Sequence, residues 1–480
     1  MKWARARAAT RASGGALARE IPIPLPLKGL YTEAKTSEVS GIYAGEFLNW
    51  ESTGSSLRLR RQVQALSAPS TVLRRIPFEF GSETRYIEVH ADRLVCGEAS
   101  ITRASSATCD VAYISGNAII ADGLGLPVRF DGTAFTQMSI EIAGVNPATF
   151  SGVIAHQDRL LFWVRGGTLD FYYPETVGAV SGNWIRFPLG RLGNITGSLS
   201  ALRSMTIDAG HGMNDTLAVI TTTGVIVAYE GLDPGDPNDW RLLTRVNAAA
   251  PLGGEAFTQV GADLWMFTAS GVISLSDSIR QSVLALVGAV SAAISEEVTE
   301  MAATPARWQM HTADDGSMVV VNRIAETIEQ FIFRPKDGSW AKADFPAVAW
   351  HNLGTATEFT ADDGRLCRVV QAKEGDLIAA RLVTGWFRMP RATGITFLKI
   401  GMTAASEVTV SITVLSDHQE TPRDIREAKQ TVVLETHRGR GQLFALDDLI
   451  PVDAVGETFK LIIELSAEWC ELTSLRAGVL

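Results

Sequence analysis

Apolar residues in this chain come in short β-branched and aromatic runs, separated by turns of Gly, Asn, Asp and Pro. Examples are 86–89, 160–164, 169–173, 217–221, 225–229, 264–268, 318–322 and 329–333. Runs of this kind predict strands. The pairs LLFWV-RGG-TLDFYY, LAVIT-TTG-VIVAYE and WMFT-ASG-VISLS predict hairpins with three-residue, Gly-containing loops. Six apolar runs follow an Asp turn, at Asp92, Asp158, Asp215, Asp263, Asp315 and Asp363, with gaps of 66, 57, 48, 52 and 48 residues. Trp184, Trp240, Trp340 and Trp386 follow their turns by 26, 25, 25 and 23 residues. Hairpin material repeating every roughly 40–50 residues is the signature of propeller blades. The pattern predicts a mainly β chain: a β-propeller of about six irregular blades over residues 76–380.

One helix interrupts it. Between 278 and 301, Ile279, Val283, Leu286, Val287, Val290, Ile294 and Val298 recur at helical spacing, with Asp277 or Ser276 as N-cap. It stands where the Asp263 unit lacks its tryptophan, and so reads as a helix inserted into a blade. From 381 to 480 the strands lengthen and alternate (396–400, 408–415, 431–435, 459–465, 473–479) without Asp turns. This predicts a C-terminal antiparallel β-sandwich serving as a platform domain. The polar segment 416–428 reads as an exposed loop or contact arm. Residues 1–75 read as a basic N-terminal arm and an extended platform segment; Ile-Pro-Ile-Pro-Leu-Pro at 21–26 permits no helix.

A length of 480 residues suits two to four domains, and 46% hydrophobic with 20% charged residues suits a folded chain. Cys96, Cys109, Cys367 and Cys470 form no CxxC pair, which points to buried reduced thiols. The net charge of −10 is uneven: residues 1–75 hold twelve Lys/Arg against five Glu. That leaves the remainder near −17. The basic start fits an arm for nucleic acid or an acidic partner, and equally a solvated terminus. Its Arg- and Ser/Ala-rich opening also mimics an organelle transit peptide, but no apolar stretch follows to make it a secretory signal. The longest apolar run, 283–294, is too short for the roughly 20 residues of a membrane span. The expectation is a soluble protein.

Candidate chemistry is sparse. His90, His156, His211, His311, His351, His418 and His437 form no HExxH or ligand-spaced pair. GxSxG, Walker and GxGxxG motifs are absent. Asp233, Asp236 and Asp239 in GLDPGDPNDW offer three carboxylates to a calcium ion, or else build a rigid Pro-acid turn. The Asp-Asp-Gly turns at 314–316 and 362–364 need only tight-loop geometry. Trp163, Phe171, Tyr172 and Tyr173 fit either a sugar- or base-stacking surface or inter-blade core. No catalytic, cofactor-binding or metal-binding residue is assigned, no cofactor is expected, and the chain is not expected to be an enzyme.

The stretch 276–344 carries Ser278-Ile279-Arg280, then Glu296-Glu297 with Met301, Trp308 with His311, and Trp340. In this order it resembles the tail nozzle proteins of short-tailed bacteriophages (podoviruses), also called tail hub or packaged-DNA stabilisation proteins. FDGTAF at 130–135, GVIAHQDRLLFWV at 152–164 and the final FKLIIELSAEWCELTSLRAGVL are also similar. The resemblance covers residues 30–480, and the longer basic N-terminus departs from it. It implies a homohexameric ring extending the portal–adaptor channel of the virion, assembled in the host cytoplasm. Such a ring retains the packaged genome until DNA ejection. Its implied partners are the portal-adaptor (head-tail connector) proteins, the tail spike or fibre proteins and the needle or plug proteins. Double-stranded DNA would pass through the lumen without sequence-specific binding, and nothing would insert into a membrane. A lumen wall that sheds DNA should not neutralise phosphates, and the acidic body fits that demand. The alternative function is a carbohydrate-binding or carbohydrate-cleaving propeller of a receptor-binding tail component.

Overall fold

The computed structural model describes residues 19–32, 41–208, 213–281, 291–313, 315–388, 395–405, 408–417, 425–434, 444–455 and 458–479. The chain divides into two compact units. Residues 61–371 form one, and the segments before and after them form the other. No helix among the described residues is long and apolar enough to cross a membrane.

The 61–371 unit is a β-propeller. Among the described residues its strands form seven successive sheets, spanning 74–102, 110–137, 140–188, 199–247, 257–274, 307–343 and 347–370. Neighbouring strands within a sheet are antiparallel; Ile140–Glu141, parallel to Gly182–Pro188, is the exception. The first strands of the sheets, Gly152–His156 in the third, are neighbours around a central channel; Ala347–Leu353 of the seventh touches Arg74–Phe80 of the first. The seventh sheet takes its outer strand, Gln62–Ala65, from the start of the unit, with Val63 opposite Val369. An N-terminal strand thus latches the last blade.

Each blade is buried on both faces, which is why its strands read as unbroken apolar runs. Leu217 and Val219 join the core shared with the third sheet, while Ala218 and Ile220 join the core shared with the fifth. Leu160 and Phe162 face the second sheet, Leu161 and Trp163 the fourth. The period-two alternation of a strand sorts these neighbours to opposite faces. Gly152 lies opposite Trp163, and a Cβ there would sit 2.0 Å from the indole, so the ring needs a glycine beneath it.

The blade number differs from expectation, seven rather than about six. The unexpected sheet is 110–137, inside the long gap after Asp92. Its hairpin turns on Ser115 and Gly116, both with positive φ, so no Asp announces it. Trp184 and Trp340 do sit on outer strands and Trp240 just precedes one, all buried. Trp386 lies outside the propeller unit, so its matching interval is coincidental. The boundary at 76 falls within the first strand, Arg74–Phe80. Two hairpin loops also differ. The one after Trp163 runs to Asp170, and the one after Thr268 has only two residues.

The inserted helix begins at Leu275 rather than 278. Neither Ser276 nor Asp277 caps it; the Ser274 hydroxyl accepts the Asp277 N–H at 3.2 Å. Leu275–Gln281 and Ser295–Ala302 are helical, and 282–290 lie outside the described residues. The fifth sheet has three strands, and Leu275 and Ile279 pack into the core between it and the fourth.

The other unit contains two antiparallel strand sets. Trp50–Ser52, Leu57–Leu59, Cys470–Val479, Ile395–Ala404 and Phe444–Ala454 follow one another in the first, with Arg19–Ile23 also on Cys470–Val479. Ala44–Leu48, Ile378–Thr384, Thr458–Ala467, Val408–Asp417 and Ile425–Leu434 make the second. Leu398, Ile400 and Met402 are buried on one, and Phe459, Leu461 and Ile463 on the other, alternating with more exposed neighbours. Part of the expected polar loop, 425–428, belongs to the strand Ile425–Leu434. Residues 418–424, and the first 18 residues of the basic arm, lie outside the described residues.

The latch can be tested at its edge, where the Leu66 N–H donates to the Leu366 carbonyl at 2.7 Å. Leu66→Pro removes that donor and should cost about 1–3 kcal/mol in urea unfolding. Leu66 is 39% exposed, so Leu66→Ala should stay within about 0.5 kcal/mol. Equal effects of the two substitutions would contradict a latch held by the backbone.

Candidate functional site

The channel of the propeller gathers charge that the sequence leaves scattered. Arg74 and Arg307 begin the first strands of the first and sixth sheets, and Asp110 begins that of the second. Arg203 lies on the first strand of the fourth sheet. Arg165 follows the strand Arg159–Trp163, and Glu255 precedes Phe257–Val260. All stand toward the end of the channel at which the first strands begin.

Glu255 is the hub. Arg74 Nη1 donates to its Oε1 at 3.0 Å. Arg307 Nε donates to Oε2 at 2.6 Å, and Arg307 Nη2 to Oε1 at 3.1 Å. Backbone carbonyls take further N–H groups: Cys109 at 2.8 Å from Arg74, Val348 at 3.1 Å from Arg307, and Thr108 at 2.9 Å from Arg165. Arg165 also pairs with Asp110. Burial tends to raise the Glu255 pKa, but Arg307, Arg74 and Arg165 outweigh it and hold the carboxyl below its usual value.

Arg203 differs from the other three. It donates to the carbonyls of Leu202 at 2.9 Å and Gly254 at 2.6 Å, and its guanidinium lies 5.1 Å from the centre of the Phe257 ring. Among the described residues no carboxylate pairs with it. Burial pushes its pKa down, and Arg165 adds repulsion against the pull of Asp110 and Glu255. Four guanidinium groups therefore share two carboxylates. Beside them a cavity of about 390 Å³ is lined by Arg74, Arg75, Asp110, Tyr113, Arg203 and His351, among others. A second cavity, of about 340 Å³, lies toward the other end of the first strands, by Pro77, Tyr113, Asn117 and Leu353.

The residues singled out from sequence fall elsewhere. In the Asp233 loop the carboxylates are engaged by the loop's own N–H groups and by Arg159. Asp239 Oδ2 accepts the N–H groups of Leu232 and Asp233 at 2.5 and 2.8 Å, Asp236 Oδ1 accepts that of Asn238 at 2.8 Å, and Asp233 pairs with Arg159 at 3.1 Å. This is the rigid-turn arrangement. Among the described residues no group of three or more His, Cys, Asp or Glu side chains could hold a metal ion. Trp163, Phe171, Tyr172 and Tyr173 are buried in inter-blade cores. The four cysteines are buried, and burial raises each thiol pKa.

His90 contacts Thr71 at 3.1 Å, His311 contacts Asn352 at 2.9 Å and His351 contacts Glu358 at 3.3 Å. His156 Nδ1 meets Ser204 Oγ at 2.8 Å, but the ring is only 4% exposed, sealed from substrate. His211, His418 and His437 lie outside the described residues. None of the six channel residues was singled out from sequence. The available signal was that Arg74, Arg203 and Arg307 each interrupt or open the first run of a blade.

Glu255→Gln leaves Arg74 and Arg307 sharing a neutral amide and should destabilise the chain by about 3–5 kcal/mol. A double-mutant cycle with Arg307→Met should return coupling of about 1 kcal/mol or more. Additive losses would show that the pair contributes nothing jointly.

Burial holds the His156 and His311 pKa values down to about 4, against the weaker opposing pulls of Asp215 and Asn352. The unfolded chain takes up these protons near 6.5. Stability is therefore complete above about pH 6.5 and is lost as pH falls toward 4. For His156 the loss should reach about 3 kcal/mol at roughly 1.4 kcal/mol per pH unit. Urea titrations from pH 8 to 4 should show this fall, and His156→Gln should flatten part of it. An unchanged slope in the variant would remove His156 from the account.

No family model matches the chain, and no curated protein does. Among solved structures it is similar to YCF48 bound to D1 peptide, with a TM-score of 0.41 and 11% identity over 65% of this chain and 96% of that one. It is also similar to the β-propeller domain of Cps50 (Swd1) from Myceliophteria thermophila, with a TM-score of 0.42 and 10% identity over 64% and 98%. BamB from Moraxella catarrhalis gives a TM-score of 0.38 and 10% identity over 64% and 97%.

Proposed function

We propose that this chain is a structural protein of a phage virion, the subunit of a homohexameric tail nozzle. The ring extends the portal–adaptor channel, retains packaged DNA and anchors the distal tail parts. The propeller is its scaffold, and the unit built from the two ends of the chain is its platform, with the C-terminal strand sets as a β-sandwich. The observation that carries the reading is the break in the blade repeat. Ser278-Ile279-Arg280 lies on the first inserted helix and Glu296, Glu297 and Met301 on the second. Trp308 and His311 follow on the first strand of the next blade, and Trp340 on its outer strand. The resembling residues thus run from the two helices that follow the three-stranded blade into the first and outer strands of the next blade. A ring of this kind uses heterologous contacts, each copy presenting two different faces.

Native mass measurement and negative-stain imaging of the purified chain, alone and with its adaptor, should show six-fold rings in at least one condition. A persistent monomer that binds or cleaves polysaccharide would replace this reading with the carbohydrate one.

A further inference from the structure

Two cations in excess of their carboxylates, on side chains that are largely but not fully buried, favour an anion. Neutral carbonyls satisfy N–H groups in the channel but cancel no charge. At an effective dielectric of about 20, two charges 4 Å apart still interact by about 4 kcal/mol, so a missing counter-charge matters. Arg203 keeps donors to spare: a guanidinium has five N–H groups, and its recorded bonds go only to the Leu202 and Gly254 carbonyls. Arg165 Nε is buried without a hydrogen-bond partner. Arg74 and Arg203 both line the 390 Å³ cavity, ample room for a small ion beside water at about 30 Å³ each.

The wall also carries an acceptor. Asp110 lines the same cavity; one of its oxygens faces Arg165, and the other, Oδ2, is buried with no hydrogen-bond partner. A carboxylate oxygen repels a fully deprotonated oxyanion but accepts a hydrogen bond from one that still carries a proton.

We propose that this end of the propeller channel binds a protonated phosphate group, free or as a phosphomonoester. Arg203 and Arg74 donate to its charged oxygens, Asp110 Oδ2 accepts from its P–OH, and Arg165 adds positive charge from behind Asp110. The arrangement discriminates by protonation. Sulfate has the shape and charge of phosphate but no proton at neutral pH, so it meets Asp110 as a like charge. The site concerns the propeller alone and stands whether or not the chain forms a ring.

The test uses the full chain at constant ionic strength in chloride. Phosphorus NMR line broadening and calorimetry should show inorganic phosphate binding, with sulfate at least about tenfold weaker. Glycerol 1-phosphate is tested at about pH 5, where the monoester keeps its P–OH because its second pKa is about 6; binding comparable to phosphate there would identify the monoester as a source, and its exclusion would restrict the site to the free ion. Arg203→Gln should weaken phosphate binding by about tenfold or more, and Asp110→Asn should bring sulfate to within about threefold of phosphate. If Arg203→Gln does not fold, the phosphate-to-sulfate ratio of the unaltered protein decides. Absence of phosphate binding in the unaltered protein, or sulfate competing equally well there, overturns the proposal.

Discussion

A ring of sheets must close between segments far apart in sequence, and here a buried carboxylate holds that seam. Glu358 of the seventh sheet is fully buried. It accepts the hydroxyl of Tyr86 in the first sheet, 272 residues away, at 2.5 Å. Arg368 reaches it through two N–H groups at 2.8 and 2.6 Å, and His351 lies 3.3 Å away. Burial alone would raise its pKa, but the bonds from His351, Tyr86 and Arg368 bring it down to about 2. The Arg75 backbone N–H donates to Thr360 Oγ1 at 3.0 Å and its guanidinium to the Gly364 carbonyl at 2.5 Å. Such buried pairs add little stability compared with apolar packing, but they tolerate few partners. Apolar faces make blades stack; these groups decide which two blades meet at the seam. Glu255 extends the principle across the channel, joining Arg74 of the first sheet to Arg307 of the sixth.

The blade repeat was legible because strand and turn chemistry are local. Asp turns, tryptophans near outer strands, and apolar runs buried on both faces leave marks within a few residues of each other. The second blade escaped because Ser115-Gly116 meets the same turn geometry with different residues. The helix was legible in period but not in boundary, since Ser274 both ends a strand and caps the helix. The channel cluster left only a faint mark, arginines at the first run of a blade, and nothing that joined its members. Its members run from Arg74 to Arg307, and no spacing rule links them. They converge only because first strands of successive blades are neighbours around one axis. A cluster made by the symmetry of a ring has no counterpart in linear sequence.

The same convergence constrains how a propeller can serve a DNA-conducting assembly. The channel is crossed by the Arg74–Glu255–Arg307 bridge, and its cavity is about 390 Å³. Duplex DNA, with a major groove alone about 12 Å wide, cannot thread such a space. In a nozzle ring the conduit would lie between copies, and the cationic propeller channel would be separate from it. That separation removes a conflict of charge. Guanidinium groups facing a DNA path would add affinity and drag, whereas enclosed within each propeller they can serve blade closure or a small anion.

The fifth blade shows what a repeat gains by being broken. Among the described residues a three-stranded sheet leaves its last strand, Gly271–Ser274, with no strand on its outer edge, and exposed edges invite pairing with other chains. The chain turns directly from that strand into a helix, so Leu275 and Ile279 fill the core a fourth strand would have covered. The second helix is tied on both sides. Thr299 Oγ1 donates to the Ala269 carbonyl at 3.0 Å, and Glu297 pairs with Lys342 on the outer strand of the next blade. The described parts of the insertion are helical and so substitute for a strand without offering one. In an assembly built from repeated copies, a blade whose outer element cannot extend a sheet is a place where contacts must come from side chains, and side chains can specify a partner.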